Sequence, residues 1–541
     1  MESLPQVPRP TRAWLLAVIA AFALGAFVRL ASLDDIPLGV QQDELSNVYD
    51  GYSILTTGAD RFGDRMPVIV RGFGENDYRP ALYPWLTALT QSVTGFSVAA
   101  GRLPSAVLGV LSLFLVFTVA QKFAGPQFAL AALLFAALSP IHIVYSRLAH
   151  EGSVLPAFFV ILVMFIWQKG LLEGFRPGLV AMMGFATGLS ANSYQATKLI
   201  AFLLAVMILI DLARDARAKW PSLAIFSLTA LIGALPQVVA LIRQTDRFFA
   251  RAKVLSVPAD GPLDWLFQVA RNYWINIEPV YLFWPGETFD LSVARLLTVE
   301  MPFFYVGLLG LWALRARATP QAKRFIYVAL LITLLPAAVT EGNPNALRGS
   351  AFFILAPFVS AAGVVLIGSW IRNGNLRRAY YPAVLSLVAL NGVSLVYLYA
   401  TSSVYKEAYY QKVLIDAAKK LGPMESSVDR IIVERYGTQA YIYFASFSPM
   451  HPREFQNGPR SSYSTGMDEF TQLGKYRFVW PAQLDSAVTD AQSGTGRFLV
   501  LSPQRVPSLA LVDSVAYGAE KLYIQGRPSV ADSAAASRGQ R

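Results

Sequence analysis

Apolar residues recur along this chain in unbroken runs of bilayer-crossing length, about 17–25 residues, rather than in the short alternations of a soluble fold. Eleven runs stand between polar breaks: residues 13–33, 102–121, 126–146, 152–170, 178–193, 197–213, 222–243, 301–316, 324–340, 350–371 and 379–400. Each is predicted to be a membrane-spanning helix. The two runs within 178–213 read as a closely spaced pair, or as one long broken helix. The pattern changes at Ser402. From there, Val404–Leu421 has helical spacing, and Arg430–Glu434, Ala440–Phe444, Tyr476–Trp480 and Arg497–Leu501 read as short strands. The fold class is therefore mainly α: a polytopic membrane protein of about eleven spans with a small C-terminal α/β domain. The expected organisation is a transmembrane module over 1–401, a soluble domain over 402–529, and a Ser/Ala-rich disordered tail over 530–541.

Charge orients the spans. With a cytoplasmic N-terminus, the inner connections carry Arg9 and Arg12; Lys122; Lys169 and Arg176; Arg214, Arg217 and Lys219; Arg315, Arg317, Lys323 and Arg324; and Arg372, Arg377 and Arg378. The first outer connection carries Asp34, Asp35, Asp43, Glu44, Asp50, Asp60, Asp64, Glu75 and Asp77 against four arginines. This is the positive-inside pattern. A miscount of one span would invert it downstream. An odd number of spans puts the C-terminal domain outside the cytoplasm, and a bacterial inner membrane is the expected location. Arg9 and Arg12 before a long apolar run resemble a signal peptide, but the many later runs favour a retained first helix.

Composition agrees. Hydrophobic residues make up 54% and charged residues 15%, against about 45–50% and about 25% in soluble proteins. The net charge of +11 is then mostly a topology signal, and no nucleic-acid partner is expected. With no cysteine and three scattered histidines (His142, His150, His451), thiolate chemistry is excluded and no metal site is expected.

Two connections are long, 34–101 and 244–300, and both fall on the outer side. Long loops in compact domains are commonly functional. The first holds Ala81–Gly95, an apolar run too short to span, which predicts an interfacial or re-entrant helix. The second holds Trp265, Tyr273, Trp274, Tyr281, Phe283 and Trp284, residues that favour the headgroup level. Together they predict a partly buried chamber at the outer face.

Candidate chemistry gathers at that face. Asp43-Glu44 reads either as a helix N-terminal charge or as a general base at the membrane boundary. Arg79-Pro80-Ala81-Leu82-Tyr83 opens the short apolar run, and its arginine is either an interface anchor or a bidentate phosphate ligand. Arg102, in Gly101-Arg102-Leu103-Pro104-Ser105, has the same two readings. Ser146-Arg147-Leu148-Ala149-His150-Glu151 reads as a salt-bridged turn or as part of the site. Lys198 follows Tyr194 in an apolar turn, and Arg348 closes Gly342-Asn343-Pro344-Asn345-Ala346-Leu347-Arg348. Cations at membrane depth are costly, so Arg79, Arg147, Lys198 and Arg348 on one rim point to an anionic ligand. Gly184-Phe185-Ala186-Thr187-Gly188 is read as helix packing.

In order and spacing, these motifs resemble the GT-C superfamily of integral-membrane glycosyltransferases, most closely the family 39 type of protein O-mannosyltransferases and lipid A aminoarabinose transferases. The resemblance covers about residues 10–400. It implies a sugar donor on polyprenyl phosphate, used at the outer face. It makes Asp43 the base or acceptor-orienting carboxylate, with Glu44 beside it. It sets Arg79, Lys198 and Arg348 around the donor phosphate, with Arg147 on the same rim, and Tyr83 in the donor cavity. This chain departs from the family in having Arg79-Pro80-Ala81 where Lys-Pro-Pro is common, and Asn345 where histidine is frequent. A phosphate leaving group needs charge stabilisation but no proton, so one carboxylate and a cation cluster suffice for direct displacement with inversion. The acceptor is a protein, lipid or cell-envelope glycan hydroxyl, and no cofactor is expected. All of this requires the acid of the first outer loop to converge with the distant cations at one bilayer surface. The competing readings are a polyprenyl-lipid or glycan transporter, and a non-catalytic assembly factor or polysaccharide polymerase.

Overall fold

The computed structural model describes residues 11–74, 76–214, 220–284, 295–314, 319–401, 411–435, 439–448, 450–458, 470–517 and 520–527. Glu75, Arg217, Lys219, Arg315, Arg317, the start of the run from Val404 and the tail 530–541 lie outside them. The chain divides into two compact units. A helical unit comprises Met1–Leu33, Arg79–Tyr83 and Arg102–Thr401, and a sheet unit comprises Asp34–Tyr78, Pro84–Gly101 and Ser402–Arg541.

In the helical unit, each of the eleven apolar runs is helical. Among the described residues, six helices are long and apolar enough to cross a membrane: Arg12–Leu30, Val98–Ala124, Val154–Glu173, Pro320–Ala338, Ser350–Trp370 and Gly374–Thr401. The pair Trp220–Gly233 and Leu235–Arg243, bent by 64°, makes a seventh if it is one span. Pro126–Leu138, Pro177–Ser190 and Thr298–Ala313 are shorter apolar helices. The runs within 178–213 are two helices, Pro177–Ser190 and Thr197–Arg214, parted by a turn. The chain is an integral membrane protein.

Small residues set how closely these helices approach. A Cβ built on Gly188 would stand 1.9 Å from the Ala230 carbonyl oxygen, and one on Gly184 would stand 2.4 Å from that of Phe226. The small-residue stripe is thus a helix-crossing surface, as its spacing predicts. Gly307 and Gly363 form a second crossing, each within 1.8 Å of the other helix's backbone oxygen if given a Cβ. Buried arginines tie helix ends. Arg29 donates to the carbonyls of Gly25, Ala136 and Ala137, each at 2.9 Å.

The sheet unit is built on six strands in the order 472–473, 476–479, 430–434, 498–502, 520–526, 510–517. Arg430–Glu434 pairs in parallel with both Tyr476–Val479 and Phe498–Ser502. The remaining pairs are antiparallel. Side chains alternate across the pleat. Ile431, Val433, Leu499 and Leu501 enter a core shared with the helices Lys412–Leu421 and Ala440–Phe447. Ile432, Phe498 and Val500 enter another, shared with helix Leu484–Ser493. Ala440–Phe447 is a helix, where its Ile and Tyr content predicted a strand. Its residues are almost all buried, so burial on every side hid the helical period.

Apart from Arg79–Tyr83, the long connection 34–101 is part of this unit. Val40, Leu45, Tyr49, Phe62 and Phe73 lie in its larger core. The Tyr49 hydroxyl donates to the Met450 carbonyl at 2.8 Å, and the Tyr443 hydroxyl to that of Val40 at 3.1 Å. Buried phenols that find acceptors in this way contribute about 1 kcal/mol each.

Candidate functional site

Asp43 and Glu44 occupy the first turn of helix Gln42–Thr57 in the sheet unit. Glu44 is fully buried, and one of its oxygens accepts the Gln41 backbone N–H at 3.3 Å, which closes a capping box. Asp43 is half-buried and accepts from the Gln41 side-chain amide at 3.0 Å. The two carboxylates therefore differ. Glu44 serves the helix end, whereas Asp43 keeps access to solvent. Both carboxylates stand in the first turn of this helix, the place of a helix N-terminal charge.

The other candidate residues lie in the helical unit. Arg79 sits in the short strand Tyr78–Pro80 and is almost fully buried. One of its terminal nitrogens stands 3.4 Å from both carboxylate oxygens of Glu151. Tyr83 is fully buried. Its hydroxyl lies 2.8 Å from that of Ser105 and donates to the Leu148 carbonyl at 3.3 Å. Arg147 spreads its fork over the carbonyls of Val28, Ala31 and Ser32, at 2.8, 2.7 and 3.0 Å. That is the C-terminal end of the first helix, where an arginine answers unsatisfied carbonyls and the helix dipole. Burial pulls the Arg147 pKa down from its usual value. Arg102 does similar work, donating to the Leu33 carbonyl at 2.8 Å.

Within the turn Ser146–Glu151, Glu151 approaches the His150 Nδ1 at 3.7 Å, and it also pairs with Arg79, which makes a buried group. Sequence reasoning missed Glu151 as the partner of a phosphate-ligand candidate. Its only signal was an acid beside three other polar residues in an apolar stretch.

Packing links the remaining cations to this group. A Cβ on Gly152 would meet the Tyr194 ring at 3.0 Å, which seats the turn before Lys198 on the Glu151 turn. Lys198 Nζ lies 3.8 Å from the centroid of the Phe248 ring and 3.5 Å from the Phe248 carbonyl. Among the described residues it has no carboxylate partner. Phe248 belongs to helix Thr245–Leu255. The C-terminal end of that helix pairs with the segment before Arg348, through Glu341 N to Leu255 O at 2.9 Å and Val257 N to Val339 O at 3.2 Å. From Phe248 to Leu255 the helix rises only about 10 Å. Arg348 itself donates to Thr340 Oγ1 at 2.9 Å and to the Glu341 carbonyl. A belt of contacts and short chain segments therefore runs from Arg79, Tyr83 and Glu151 through Lys198 to Arg348, although these residues are far apart in the sequence.

Among the described residues, no group of three or more His, Asp or Glu side chains could hold a metal. The belt supplies cations and hydrogen-bond donors. It suits a substrate whose reacting centre carries negative charge.

A family profile described as dolichyl-phosphate-mannose-protein mannosyltransferase matches residues 78–239 of the 541. No curated protein sequence matches the chain. Among solved structures, the chain is similar to ArnT from Cupriavidus metallidurans bound to undecaprenyl phosphate, with a TM-score of 0.57 at 12% identity, over 96% of this chain and 99% of that one. It is also similar to the apo oligosaccharyltransferase of Archaeoglobus fulgidus (TM-score 0.50, 12% identity, 91% of this chain and 69% of that one). A third likeness is to the arabinofuranosyltransferase AftD from Mycobacteria (TM-score 0.50, 14% identity), which covers 97% of this chain but 42% of that one. At these identities what is shared is the fold.

Proposed function

From the premise that this chain has the fold of the GT-C membrane glycosyltransferases, we propose that it transfers a glycosyl group from a polyprenyl-phosphate-linked sugar to an acceptor hydroxyl. The reaction takes place at the outer face of a bacterial inner membrane, with the N-terminus cytoplasmic. The observation that carries this reading is the belt of Arg79, Lys198 and Arg348 beside buried Tyr83. It is supported by the undecaprenyl phosphate bound by ArnT, a protein that this chain resembles over nearly its whole length.

In this reaction the acceptor oxygen forms a bond to the anomeric carbon while the bond from that carbon to the phosphate oxygen breaks. The electron pair leaves with the polyprenyl phosphate. The hydroxyl proton passes to Asp43, the half-exposed member of the carboxylate pair. Attack opposite the leaving group inverts the anomeric centre. Lys198, which lacks a carboxylate counter-ion among the described residues, and Arg348 offset the charge that builds on the phosphate. Arg79 is the third cation, held by Glu151 until the donor arrives. Tyr83 walls the donor cavity. Arg147 ties the end of the first helix. Sugar, hexose or pentose, and acceptor, whether protein, lipid or glycan, are read out by comparing the glycans of membranes and exported proteins with and without this protein. In membranes lacking it, one glycosylated acceptor class disappears. An unchanged glycan profile, together with unchanged transfer from radiolabelled polyprenyl-phosphate sugars, overturns the proposal.

A further inference from the structure

The sheet unit contains an open cleft of about 410 Å³, within the size range of ligand sites. It is bounded by the segment from Asp34 to Val40, the turn Phe96–Val98, the helix Lys412–Leu421 and the end of the helix Ala440–Phe447. Its floor is apolar, with Val40, Leu45 and Val48 almost fully buried. Its rim carries both signs of charge. Asp34 and Asp35 stand on one wall, and Lys412 and Lys419, two helical turns apart, on another.

Several of these groups lack a counterpart among the described residues. Asp34 accepts only the Ala99 N–H, at 2.9 Å, and Asp35 has no ion pair or hydrogen bond. Lys412 is matched by Asp416. Lys419 has only the Phe447 ring, 5.3 Å away. Ser446 also lines the cleft. Its side chain is 4% exposed, and its hydroxyl has no hydrogen-bond partner. A buried hydroxyl left unpaired is costly, which points to a bound group that answers it.

The charges decide what that group is. A wholly anionic ligand would meet Asp34 and Asp35, and a wholly cationic one would meet the lysines. A wholly apolar ligand would leave Asp35, Lys419 and Ser446 unanswered. A phosphate joined to an ammonium answers both walls, and an acyl chain answers the floor. Chain connectivity supports a lipid source. Asp34 is four residues beyond the apolar helix Arg12–Leu30, and Val98 opens the apolar helix Val98–Ala124. We infer that this cleft binds a zwitterionic, amine-bearing phospholipid, with Lys419 on the phosphate, Asp35 on the ammonium and Ser446 on an ester oxygen. The inference stands apart from the transfer reaction, because none of these residues belongs to the proposed catalytic set.

The test is native mass spectrometry of the full-length protein in detergent, titrated with dioleoylphosphatidylethanolamine, dioleoylphosphatidylglycerol and free phosphoethanolamine. The expected result is a preference for phosphatidylethanolamine over phosphatidylglycerol of about threefold or more, the scale of one exposed charge contact. Asp35→Asn abolishes that preference, and Lys419→Met weakens both lipids by a similar factor. Ser446→Ala lowers lipid affinity without lowering the thermal stability of delipidated protein, since it removes a hydroxyl that has no protein partner. Asp35 and Lys419 are exposed, so their variants fold. Equal binding of the two lipids by the wild type overturns the inference, as do unchanged affinities in all three variants. Binding of free phosphoethanolamine as tight as that of the lipid also overturns it, in favour of a soluble headgroup.

Discussion

One terminal nitrogen of Arg79 lies equidistant, at 3.4 Å, from the two carboxylate oxygens of Glu151, and both side chains are almost fully buried. This is longer than the roughly 2.7–2.9 Å of a tight charge-assisted bond. Glu151→Ala removes a carboxylate from beside a buried guanidinium and lowers stability by up to about 3–5 kcal/mol. Arg79→Ala relieves part of that loss in the double variant while still abolishing donor binding. Thermal unfolding and donor affinity, measured on the same preparations, check both. A Glu151→Ala protein as stable as the wild type would refute the pairing.

Asp43→Asn removes the base but keeps the hydrogen-bonding shape, so kcat falls by about 10²–10⁴-fold while donor affinity stays the same. Glu44→Ala loses the capping contact to Gln41 and costs at least about 1 kcal/mol of stability. Single-turnover transfer assays beside donor-binding titrations separate the two effects. If Asp43→Asn turns over normally, the base lies elsewhere.

Lys198→Met weakens binding of polyprenyl phosphate about tenfold, because a partly desolvated cation opposite a phosphate is worth over 1 kcal/mol. Stability changes little, since the cation loses only its contacts to Phe248. Arg348→Lys keeps the charge but loses the planar guanidinium, one nitrogen of which reaches both Thr340 and Glu341, so it raises the donor KM more than it lowers kcat. Steady-state kinetics with varied donor concentration test both.

Burial pushes the Asp60 carboxyl up to about 7, with neighbouring Asp50 and Asp64 adding to the effect. One of its oxygens accepts from Phe62 and Asp64 backbone N–H groups, at 2.9 and 3.0 Å, while the other has no partner among the described residues. Since the folded-state pKa exceeds the unfolded one, the native state holds the proton more tightly. The stabilisation from this group is complete below about pH 4 and is lost as the pH climbs through about 7. Asp60→Asn removes that loss. Denaturant unfolding across this window should show the variant losing less stability with rising pH than the wild type. Parallel curves would count against a buried, protonated Asp60.

Tyr49→Phe deletes the hydroxyl that reaches the Met450 carbonyl and leaves that acceptor unsatisfied, which lowers stability by about 1–2 kcal/mol. Calorimetry of the full-length protein should register the change. A Tyr49→Phe protein as stable as the wild type would mean that this contact does not help hold the segment 34–78 to the C-terminal part of the sheet unit.

Much of the fold was legible in the sequence because the membrane imposes a one-dimensional rule: backbone groups in hydrocarbon must be satisfied within the segment. Every apolar run is accordingly a helix, and the Gly184/Gly188 stripe is a crossing surface. The same rule says nothing about length, so only six of the runs are long single spans by the described residues, while others are short or bent. In the C-terminal domain, strands with one face in each core kept their period and were recognised. Ala440–Phe447, buried throughout, lost it and was misread.

The sequence by itself determined that this is a membrane protein with a long acidic connection over 34–101, a C-terminal segment of α/β pattern and a set of cations in apolar surroundings. Those features follow from local composition, and local composition is what water and lipid select. Only the tertiary structure decided which cation does what. Arg147 and Arg102 answer helix-end carbonyls, Arg79 answers Glu151, and Lys198 lies over the Phe248 ring. An arginine in an apolar stretch reads the same whether its partner is a carbonyl, a carboxylate or a ligand, because the partner comes from a distant part of the chain. The tertiary structure also decided that Val40 and Tyr49 pack with Tyr443 and Met450, residues some 400 positions away. Burial of apolar surface is non-directional, and no local pattern names the surface it will meet.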